Sequence, residues 1–311
     1  MNYSFYDFYY PSSDGKNKIY AEVYEPTQGQ VRAVIQLAHG MVDYVGRYTE
    51  IADYMTGEGF VFAGNHHLGH GKTASSHEDL GFFANHGGED YLLRDMYEMN
   101  RRLREKYPGV PLIVMGHSMG SFITRLYLER YPESLDAVII HGTAGKNPLL
   151  PMGRFVTGFI RRFHNQHYRS RFVNSLALGA YNKAFPVTEG NRAWLSRDRA
   201  LASRTDEYTD FIFSVSAYAD LFKMLSECNS KRWYREYPKA LPTLIVSGTD
   251  DPVGGKNAKG PREVYDGLSA EGCEALTLKL YEGARHELFK EINREEVFTD
   301  LTSWIESVIL K

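Results

Sequence analysis

The architecture of this chain follows from residues 111–125, Pro-Leu-Ile-Val-Met-Gly-His-Ser-Met-Gly-Ser-Phe-Ile-Thr-Arg. The apolar run from Leu112 to Met115 predicts a buried strand, and the apolar periodicity from Met119 onward predicts a helix. Residues 116–120, Gly-His-Ser-Met-Gly, join the two as a G-x-S-x-G turn. A strand that enters a helix through one residue strains that residue's backbone and exposes its side chain at the edge of the sheet. Ser118 is therefore a candidate nucleophile.

A Gly-Ser-Gly cluster can also be only a turn, and the motif gains meaning from its structural context. Here a strand and a helix are both predicted, which favours the nucleophile. A serine hydroxyl reacts only when an imidazole removes its proton and a carboxylate orients that imidazole. The Met119 N–H, at the start of the helix, is a candidate oxyanion donor. The rest of the chain must supply a base, an acid and a second donor.

The composition limits the class of protein. The chain has 311 residues, 43% hydrophobic and 24% charged, which is ordinary for a soluble globular protein of one domain or one domain with an insertion. A net charge of −3 gives no reason to expect a nucleic-acid partner. Residues 1–7 lack the basic start and apolar region of a signal peptide, and no apolar run could span a bilayer. We expect a cytoplasmic protein.

On both sides of the turn at residues 116–120, predicted strands and helices alternate along the chain. Strands are predicted over residues 3–10, 18–24, 32–38, 60–64, 136–140, 243–247 and 276–281, and helices over residues 47–58, 89–107, 261–271 and 291–310. This alternation predicts an α/β fold with a mostly parallel central sheet covered by helices on both faces. Residues 144–237 show helical patterns and no clear strand, so we predict a helical cap inserted into a core domain of residues 1–143 and 238–311.

Functional groups in such a sheet collect on loops that leave the carboxyl ends of strands. Two late strands lead into residues 248–253, Gly-Thr-Asp-Asp-Pro-Val, and residues 282–287, Glu-Gly-Ala-Arg-His-Glu. The order Ser118, Asp251, His286 is the order of nucleophile, acid and base in α/β-hydrolases. His286 is the predicted base and Asp251 the acid. Asp250 is the alternative candidate for the acid, and the residues alone do not decide between Asp250 and Asp251.

The second oxyanion donor is expected in the loop after the third strand. Residues 39–41, His-Gly-Met, occupy that position, so the Met41 N–H is predicted to act beside the Met119 N–H. His39, Gly40 and His117, which adjoin these groups in sequence, are predicted to contact the substrate. Alternatively, His39 and Gly40 only turn the chain.

With these residues in place, the sequence resembles α/β-hydrolases of the monoacylglycerol lipase and lysophospholipase-like group, often labelled serine aminopeptidase-like. The resemblance implies an α/β-hydrolase fold and cleavage of acyl esters through an acyl-enzyme, without metal or organic cofactor. It also favours Asp251, since the family's acid sits three residues after the strand-ending glycine, here Gly248. The matching stretches are residues 39–41, 46–48, 69–73, 116–121, 181–185, 194–198, 248–253 and 286–287.

Histidines crowd one region of the chain and raise the alternative of a zinc site. They are His66, His67, His70, His77 and His86. His66 and His70 are four residues apart, a spacing that suits two metal ligands on one helix. However, the glycines on either side of His70 argue against a helix, and no carboxylate or cysteine lies at ligand spacing. We predict no metal.

The opening of the cap, residues 148–163, has apolar residues at helical intervals among basic ones. One interpretation is a helix that packs its apolar side on the core domain. The sharper hypothesis is that Phe155 and Phe159 line a channel for the acyl chain. The basic flank would then make transient contact with anionic headgroups at a membrane surface.

The sequence therefore predicts a serine ester hydrolase whose substrate is a small-molecule acyl ester, with monoacylglycerols or lysophospholipids preferred. A peptidase or a small aryl-ester hydrolase could use the same three residues, because a fold does not fix a substrate. A peptidase acting on free N-termini would need a carboxylate near the cleft, for which Glu189 and Glu207 are candidates. A catalytically silent relative that binds a hydrophobic ligand is the alternative from another class.

Overall fold

The computed structural model of the protein describes residues 3–310, and Met1 and Asn2 of the predicted N-terminal stretch lie outside them. Eight strands form one sheet in the order β1-β2-β4-β3-β5-β6-β7-β8. The strands are β1 (Tyr3–Pro11), β2 (Lys18–Pro26), β3 (Ala33–Ala38), β4 (Phe60–Asn65), β5 (Leu112–His117), β6 (Ala137–His141), β7 (Thr243–Gly248) and β8 (Leu276–Tyr281).

The helices alternate with the strands as predicted, except between β6 and β7, where five α-helices follow one another. They are α1 (Thr49–Gly57), α2 (Gly88–Lys106), α3 (Met119–Arg130), α4 (Leu150–Ile160), α5 (Arg171–Leu178), α6 (Arg199–Ala202), α7 (Val215–Cys228), α8 (Lys231–Glu236), α9 (Lys259–Ala270) and α10 (Arg294–Ile309). The last helix starts three residues later than predicted because Leu288–Lys290 forms a separate 3-10 turn. Within residues 3–310, no helix has the length and apolar character needed to cross a membrane.

The pairing of the strands explains where a site can form. β1 and β2 pair antiparallel, as do β2 and β4, whereas β4, β3, β5, β6, β7 and β8 run parallel. The ends of neighbouring strands are in register, with Ala38 opposite Gly116, and Gly248 opposite Tyr281. The loops that follow these strands therefore emerge along one edge of the sheet.

Each face of the sheet has its own hydrophobic core, so the predicted fold class is confirmed. On one face, α1 and α10 bury side chains such as Ile51 and Phe298. On the other face, α2, α3 and α7 bury side chains such as Met96, Ile123 and Phe222. Strands enclosed on both sides must be apolar throughout, which is why the run from Leu112 to Met115 is informative in the sequence.

The chain between β6 and β7 is helical, with α4 to α8 and no strand among its residues, all of which the structure describes. α7 lies against α2 and α3 of the sheet region as well as against α4. The division into a core of residues 1–143 and 238–311 and a cap of residues 144–237 remains our proposal.

Candidate active site

The turn between β5 and α3 is strained at its central residue. Ser118 has φ 54° and ψ −120°, a conformation that side-chain-bearing residues rarely adopt. The two flanking glycines allow the crossing. A Cβ on Gly120 would lie 1.9 Å from the Ala38 carbonyl oxygen, and one on Gly116 would lie 2.4 Å from the Gly120 oxygen. The sequence thus folds into a tight elbow that presents the serine at the end of β5.

The loops after β7 and β8 bring one aspartate to one histidine. Asp251 Oδ2 lies 2.9 Å from His286 Nδ1, and both residues are buried. Asp251 Oδ1 accepts a hydrogen bond from the Val253 N–H at 2.9 Å, which fixes the carboxylate. Asp250 is exposed, and its N–H donates to the Ala284 carbonyl. The imidazole therefore has a carboxylate on Nδ1, and Nε2 is left for another partner.

A cavity of about 660 Å³ lies next to both the serine and the histidine. Ser118 and His286 line it together with Gly40, Met41, His117 and Met119. Gly40 packs directly on the elbow, since a Cβ there would lie 3.3 Å from the Ser118 Cβ. The first turn of α3 and the loop after β3 thus border the serine, in the positions expected of two oxyanion donors.

Three residues predicted to contact the substrate lie elsewhere. His39 is fully buried and is not among the residues that line the cavity. Its Nδ1 lies 2.9 Å from the Gly40 carbonyl oxygen, and its Nε2 accepts a hydrogen bond from the His67 N–H at 3.0 Å. Phe155 and Phe159 are 74% and 56% exposed on α4. The helix turns Gly153 and Thr157 inward, with Gly153 against the ring of Phe222. The predicted channel lining by the two phenylalanines is wrong.

The cavity has two kinds of wall. An apolar wall comes from α3, α4, α5, α7 and the loop after β7. Its residues include Phe122, Leu150, Ala177, Leu221, Phe222, Leu225 and Val253. A polar wall comes from the elbow and the loops after β3 and β8, and includes Asp43, Arg47, His117 and Glu287. Other charged residues also line the cavity, namely Lys146, Arg192, Asp210, Lys259 and Glu263. An elongated amphiphilic molecule could place its chain and its polar group against different walls.

The polar wall is an ionic network that sequence reasoning missed. Arg47 contacts Asp43 at 2.8 Å and Glu287 at 3.3 Å. Burial alone would raise the pKa of Asp43, but Arg47 and His117 hold it well below its usual value. Burial opposes ionisation of Glu287 too, yet Lys290 and Arg47 lower its pKa. Both carboxylates are charged at neutral pH. The residues 46–48, Gly-Arg-Tyr, were the available signal, since their motif stands beside the predicted oxyanion loop.

A segment of the cap is hydrogen-bonded to the loop that carries His286. The Glu287 N–H donates to the Leu195 carbonyl at 2.7 Å, and the Arg285 guanidinium donates to the Ala193 carbonyl at 2.6 Å. The ring of Trp194 lies 5.1 Å from the imidazole of His286, centroid to centroid. This part of the cap therefore forms one wall of the site.

The crowded histidines have other roles in the structure. His66 Nε2 lies 3.1 Å from Glu22 Oε1, and His70 Nδ1 lies 3.0 Å from the Leu68 carbonyl. Within residues 3–310, no three His, Cys, Asp or Glu side chains are grouped so that they could hold a metal ion. Burial lowers the pKa of His67 to about 3 and that of His70 to about 4. The side chains of His67 and His70 are therefore neutral parts of the core.

The model of the family described as Serine aminopeptidase, S33 (Hydrolase_4) matches residues 29–293. The chain belongs to this family. Among its relatives, the chain is 27% identical to the monoacylglycerol lipase of Mycolicibacterium smegmatis over 89% of each chain. It is 25% identical to the monoglyceride lipase of Homo sapiens, over 94% of this chain and 88% of the human protein.

Solved structures agree with this S33 family membership. A thermostable carboxyl esterase from Bacillus coagulans, in complex with glycerol, superposes with a TM-score of 0.89 at 25% identity, covering 98% of this chain and 99% of the esterase. The monoglyceride lipase of Saccharomyces cerevisiae shares the fold with a TM-score of 0.76 at 20% identity, covering 96% and 94%. The resemblance stated from the motifs is confirmed, and the protein is a serine hydrolase of the lipase and esterase type.

Proposed function

We propose that this S33 hydrolase cleaves carboxylic acyl esters through an acyl-enzyme on Ser118. The observation that carries the proposal is the 2.9 Å hydrogen bond between Asp251 and His286 inside the cavity that Ser118 lines. Asp251 orients the imidazole and stabilises its protonated form. His286 then accepts the hydroxyl proton as Ser118 attacks the ester carbonyl.

The attack forms a bond from Ser118 Oγ to the carbonyl carbon and places negative charge on the carbonyl oxygen. The N–H groups of Met41 and Met119 stabilise that oxyanion. Its collapse breaks the ester bond, and His286 gives its proton to the departing alcohol. Water, deprotonated by the same imidazole, then attacks the acyl-enzyme and releases the carboxylic acid.

Monoacylglycerols or related small acyl esters, lysophospholipids among them, are the proposed substrates. The apolar wall gives an acyl chain contacts with Phe122, Leu221 and Phe222. Curated relatives named for monoacylglycerol hydrolysis cover most of the chain, which supports this class. A cytoplasmic location is part of the same proposal.

The outer face of the cap is the proposed contact with a lipid surface. Large apolar side chains are exposed there beside Arg154 and Arg162. Exposed apolar patches of this kind mark interaction surfaces, and basic residues add attraction to anionic headgroups. The apolar members are Leu149, Met152, Phe155, Phe159, Phe163 and Phe172.

A fluorophosphonate label and an ester series test the proposal together. The wild type should be labelled at Ser118 and should hydrolyse p-nitrophenyl esters and monoacylglycerols. Ser118→Ala should lose the label and the hydrolysis while keeping its melting temperature within a few degrees. A wild type that is neither labelled nor active on any ester would favour the alternative, a silent binder of hydrophobic ligands.

The peptidase alternative loses its predicted amine-binding groups. Glu189 forms an ion pair with Arg285 at 2.7 Å, Glu207 is exposed, and neither lines the cavity among the residues described. We expect no release of p-nitroaniline from leucine p-nitroanilide by enzyme that hydrolyses p-nitrophenyl butyrate. Amide cleavage at a comparable rate would restore the peptidase.

A further inference from the structure

A second cavity adjoins the apolar wall of the cavity that Ser118 lines. It has a volume of about 420 Å³ and lies between the first half of α4 and the end of α7. We call it the outer pocket, and its lining includes Lys146, Leu150, Arg154, Leu225, Ser226 and Asn229. Lys146, Leu150 and Leu225 also line the Ser118 cavity, so the two cavities are neighbours with a common wall.

The outer pocket lies about two helical turns of α3 away from the nucleophile. Asn229 Oδ1, which belongs to its lining residues, accepts a hydrogen bond from Arg125 at 3.3 Å. Arg125 follows Ser118 by seven residues, which corresponds to roughly 10 Å along the helix. Phe122, midway between them, belongs to the apolar wall. An acyl chain that leaves Ser118 along this wall is therefore directed toward the outer pocket.

The outer pocket carries positive charge that no carboxylate neutralises. The Lys146 backbone N–H donates to Glu263 at 3.1 Å, but its ammonium group makes no ion pair within residues 3–310. Arg154 Nη1 donates to Ser226 Oγ at 3.2 Å, and the guanidinium has no carboxylate partner in the described part of the chain. Both cations are exposed. No Asp or Glu among the described residues lines this pocket.

Two further groups favour an anion in the outer pocket. Ser226 Oγ accepts from Arg154, so its own proton is free for another acceptor. Arg125 is fully buried behind Asn229, and the oxygens that it contacts are neutral ones, on Thr143, Ala144, Cys228 and Asn229. A carboxylate can form charge-assisted hydrogen bonds in the outer pocket, whereas the methyl end of an ordinary acyl chain can form none.

We propose that the outer pocket binds a carboxylate at the far end of the acyl chain. The enzyme thereby selects half-esters of long dicarboxylic acids over esters of monocarboxylic acids of the same length. This inference rests on the proposed function, because it takes Ser118 as the point of attack. The reaction at Ser118 is unchanged, since water and the half-ester yield the dicarboxylic acid and the alcohol.

Two series of p-nitrophenyl esters that differ only at the end of the acyl chain test the proposal. One series holds the half-esters of succinic, suberic, sebacic and dodecanedioic acid, and the other holds the esters of butanoic, octanoic, decanoic and dodecanoic acid. Each ester is kept below its aggregation limit. The quantity compared is the ratio of kcat/KM for the half-ester to kcat/KM for the monocarboxylic ester of the same length.

The wild-type ratio should be below one for the shortest pair, because a short chain leaves its carboxylate among apolar side chains. It should then rise at least about tenfold in one of the longer pairs, whose carboxylate reaches the cations. A ratio that does not rise with chain length would overturn the inference without any variant.

A double variant, Lys146→Gln with Arg154→Gln, removes both cations of the outer pocket. It should lower the ratio of the longer pairs about tenfold toward the ratio of the shortest pair. Arg171→Gln with Lys183→Gln is the matched control, since it removes the same charge from exposed positions of the cap that line neither cavity. The control should keep the wild-type ratio at every length.

A wild-type rise that persists in the double variant would overturn the site, because the carboxylate would then be reaching water instead of the two cations. If the double variant does not fold, the single variants Lys146→Gln and Arg154→Gln are compared in the same way. Failure of the proposed function gives another result, since the wild type would then hydrolyse neither series and would resist fluorophosphonate labelling.

Discussion

The N–H of Glu287 donates a hydrogen bond to the carbonyl of Leu195, at 2.7 Å, and so ties the loop of the proposed base to the cap. Ser196 Oγ donates to the Lys290 carbonyl at 2.7 Å, and Arg197 pairs with Glu291 at 2.8 Å. Residues 195–197 of the proposed cap are thus bonded to residues 287–291 at several successive positions. The loop that carries His286 is therefore held by residues about ninety positions earlier in the chain, in the proposed cap.

Trp194→Leu should reduce kcat, because the indole that packs against the His286 ring is replaced by a smaller side chain. We expect a loss of roughly tenfold to a hundredfold, equal for acetate and octanoate esters, since a displaced base affects every substrate. Trp194→Phe keeps an aromatic ring and should retain most of the activity. Steady-state kinetics with p-nitrophenyl esters measures both. A loss confined to octanoate would instead assign Trp194 to chain binding.

Asp251→Asn should lower kcat by about four orders of magnitude, because the amide supports the wrong tautomer of the imidazole and cannot stabilise its charge. Asp250→Asn is the matched control, since the neighbouring carboxylate is exposed and does not contact His286. It should retain activity within about twofold. Comparable losses in the two variants would contradict the assignment of the acid.

The positions of Ser118, Asp251 and His286 could be predicted because each follows a strand in a parallel sheet, and such strand ends meet at one edge. The prediction needed only local patterns and chain order. The exposed position of Asp250 could not be derived, since both aspartates occupy the same loop. The structure distinguishes them through one hydrogen bond to a residue on another strand.

The phenylalanines of α4 show where sequence patterns fail. Helical periodicity indicates that a helix has distinct faces, but this helix carries apolar side chains on more than one of them. Its packed face is marked by the small residues Gly153 and Thr157, which let α4 approach α7 closely, while Phe155 and Phe159 remain outside. Glu287 was missed for another reason, because a single glutamate has no pattern and gains meaning only from its neighbours in space.

A double substitution, Phe155→Ser with Phe159→Ser, should weaken binding to vesicles that contain anionic lipid. The two side chains are exposed, so the free energy of unfolding should change by less than about 1 kcal/mol. Hydrolysis of p-nitrophenyl butyrate in solution should stay within about twofold of wild type, while hydrolysis of long-chain monoacylglycerol in vesicles should fall. Equal vesicle sedimentation of wild type and variant would remove the proposed lipid contact.

Ser118→Gly should be more stable than Ser118→Ala by about 1 kcal/mol. The elbow holds residue 118 at φ 54°, which strains any residue with a Cβ, and glycine relieves this strain at some cost in unfolded-state entropy. Both variants lack the hydroxyl, so the difference between their free energies of unfolding reports the backbone strain at residue 118. Urea unfolding measures the difference. An alanine variant as stable as the glycine variant would show that the elbow stores little strain.

Asp220 on α7 gives the interface between the cap and α2 a dependence on pH. Its Oδ2 accepts a hydrogen bond from the Gly88 N–H at 3.1 Å. Burial, followed by the charge of Glu89, raises the pKa of Asp220 to about 8. In the unfolded chain an aspartate has a pKa of about 3.9. Between these values the folded protein binds a proton that the unfolded protein does not.

The free energy of unfolding should therefore decrease as pH rises from about 4 to about 8, because stability falls wherever the folded state binds more protons. Asp220→Asn preserves the acceptor for the Gly88 N–H and cannot ionise. The part of the decrease in stability with pH that comes from Asp220 should therefore be absent from this variant. At pH 8.5 we expect its free energy of unfolding to exceed that of the wild type by at least about 1 kcal/mol. This lower limit corresponds to a shift of less than one pKa unit. At pH 5 the excess should be smaller. Urea unfolding at both values of pH measures the two differences, and a difference that does not grow with pH would contradict the raised pKa.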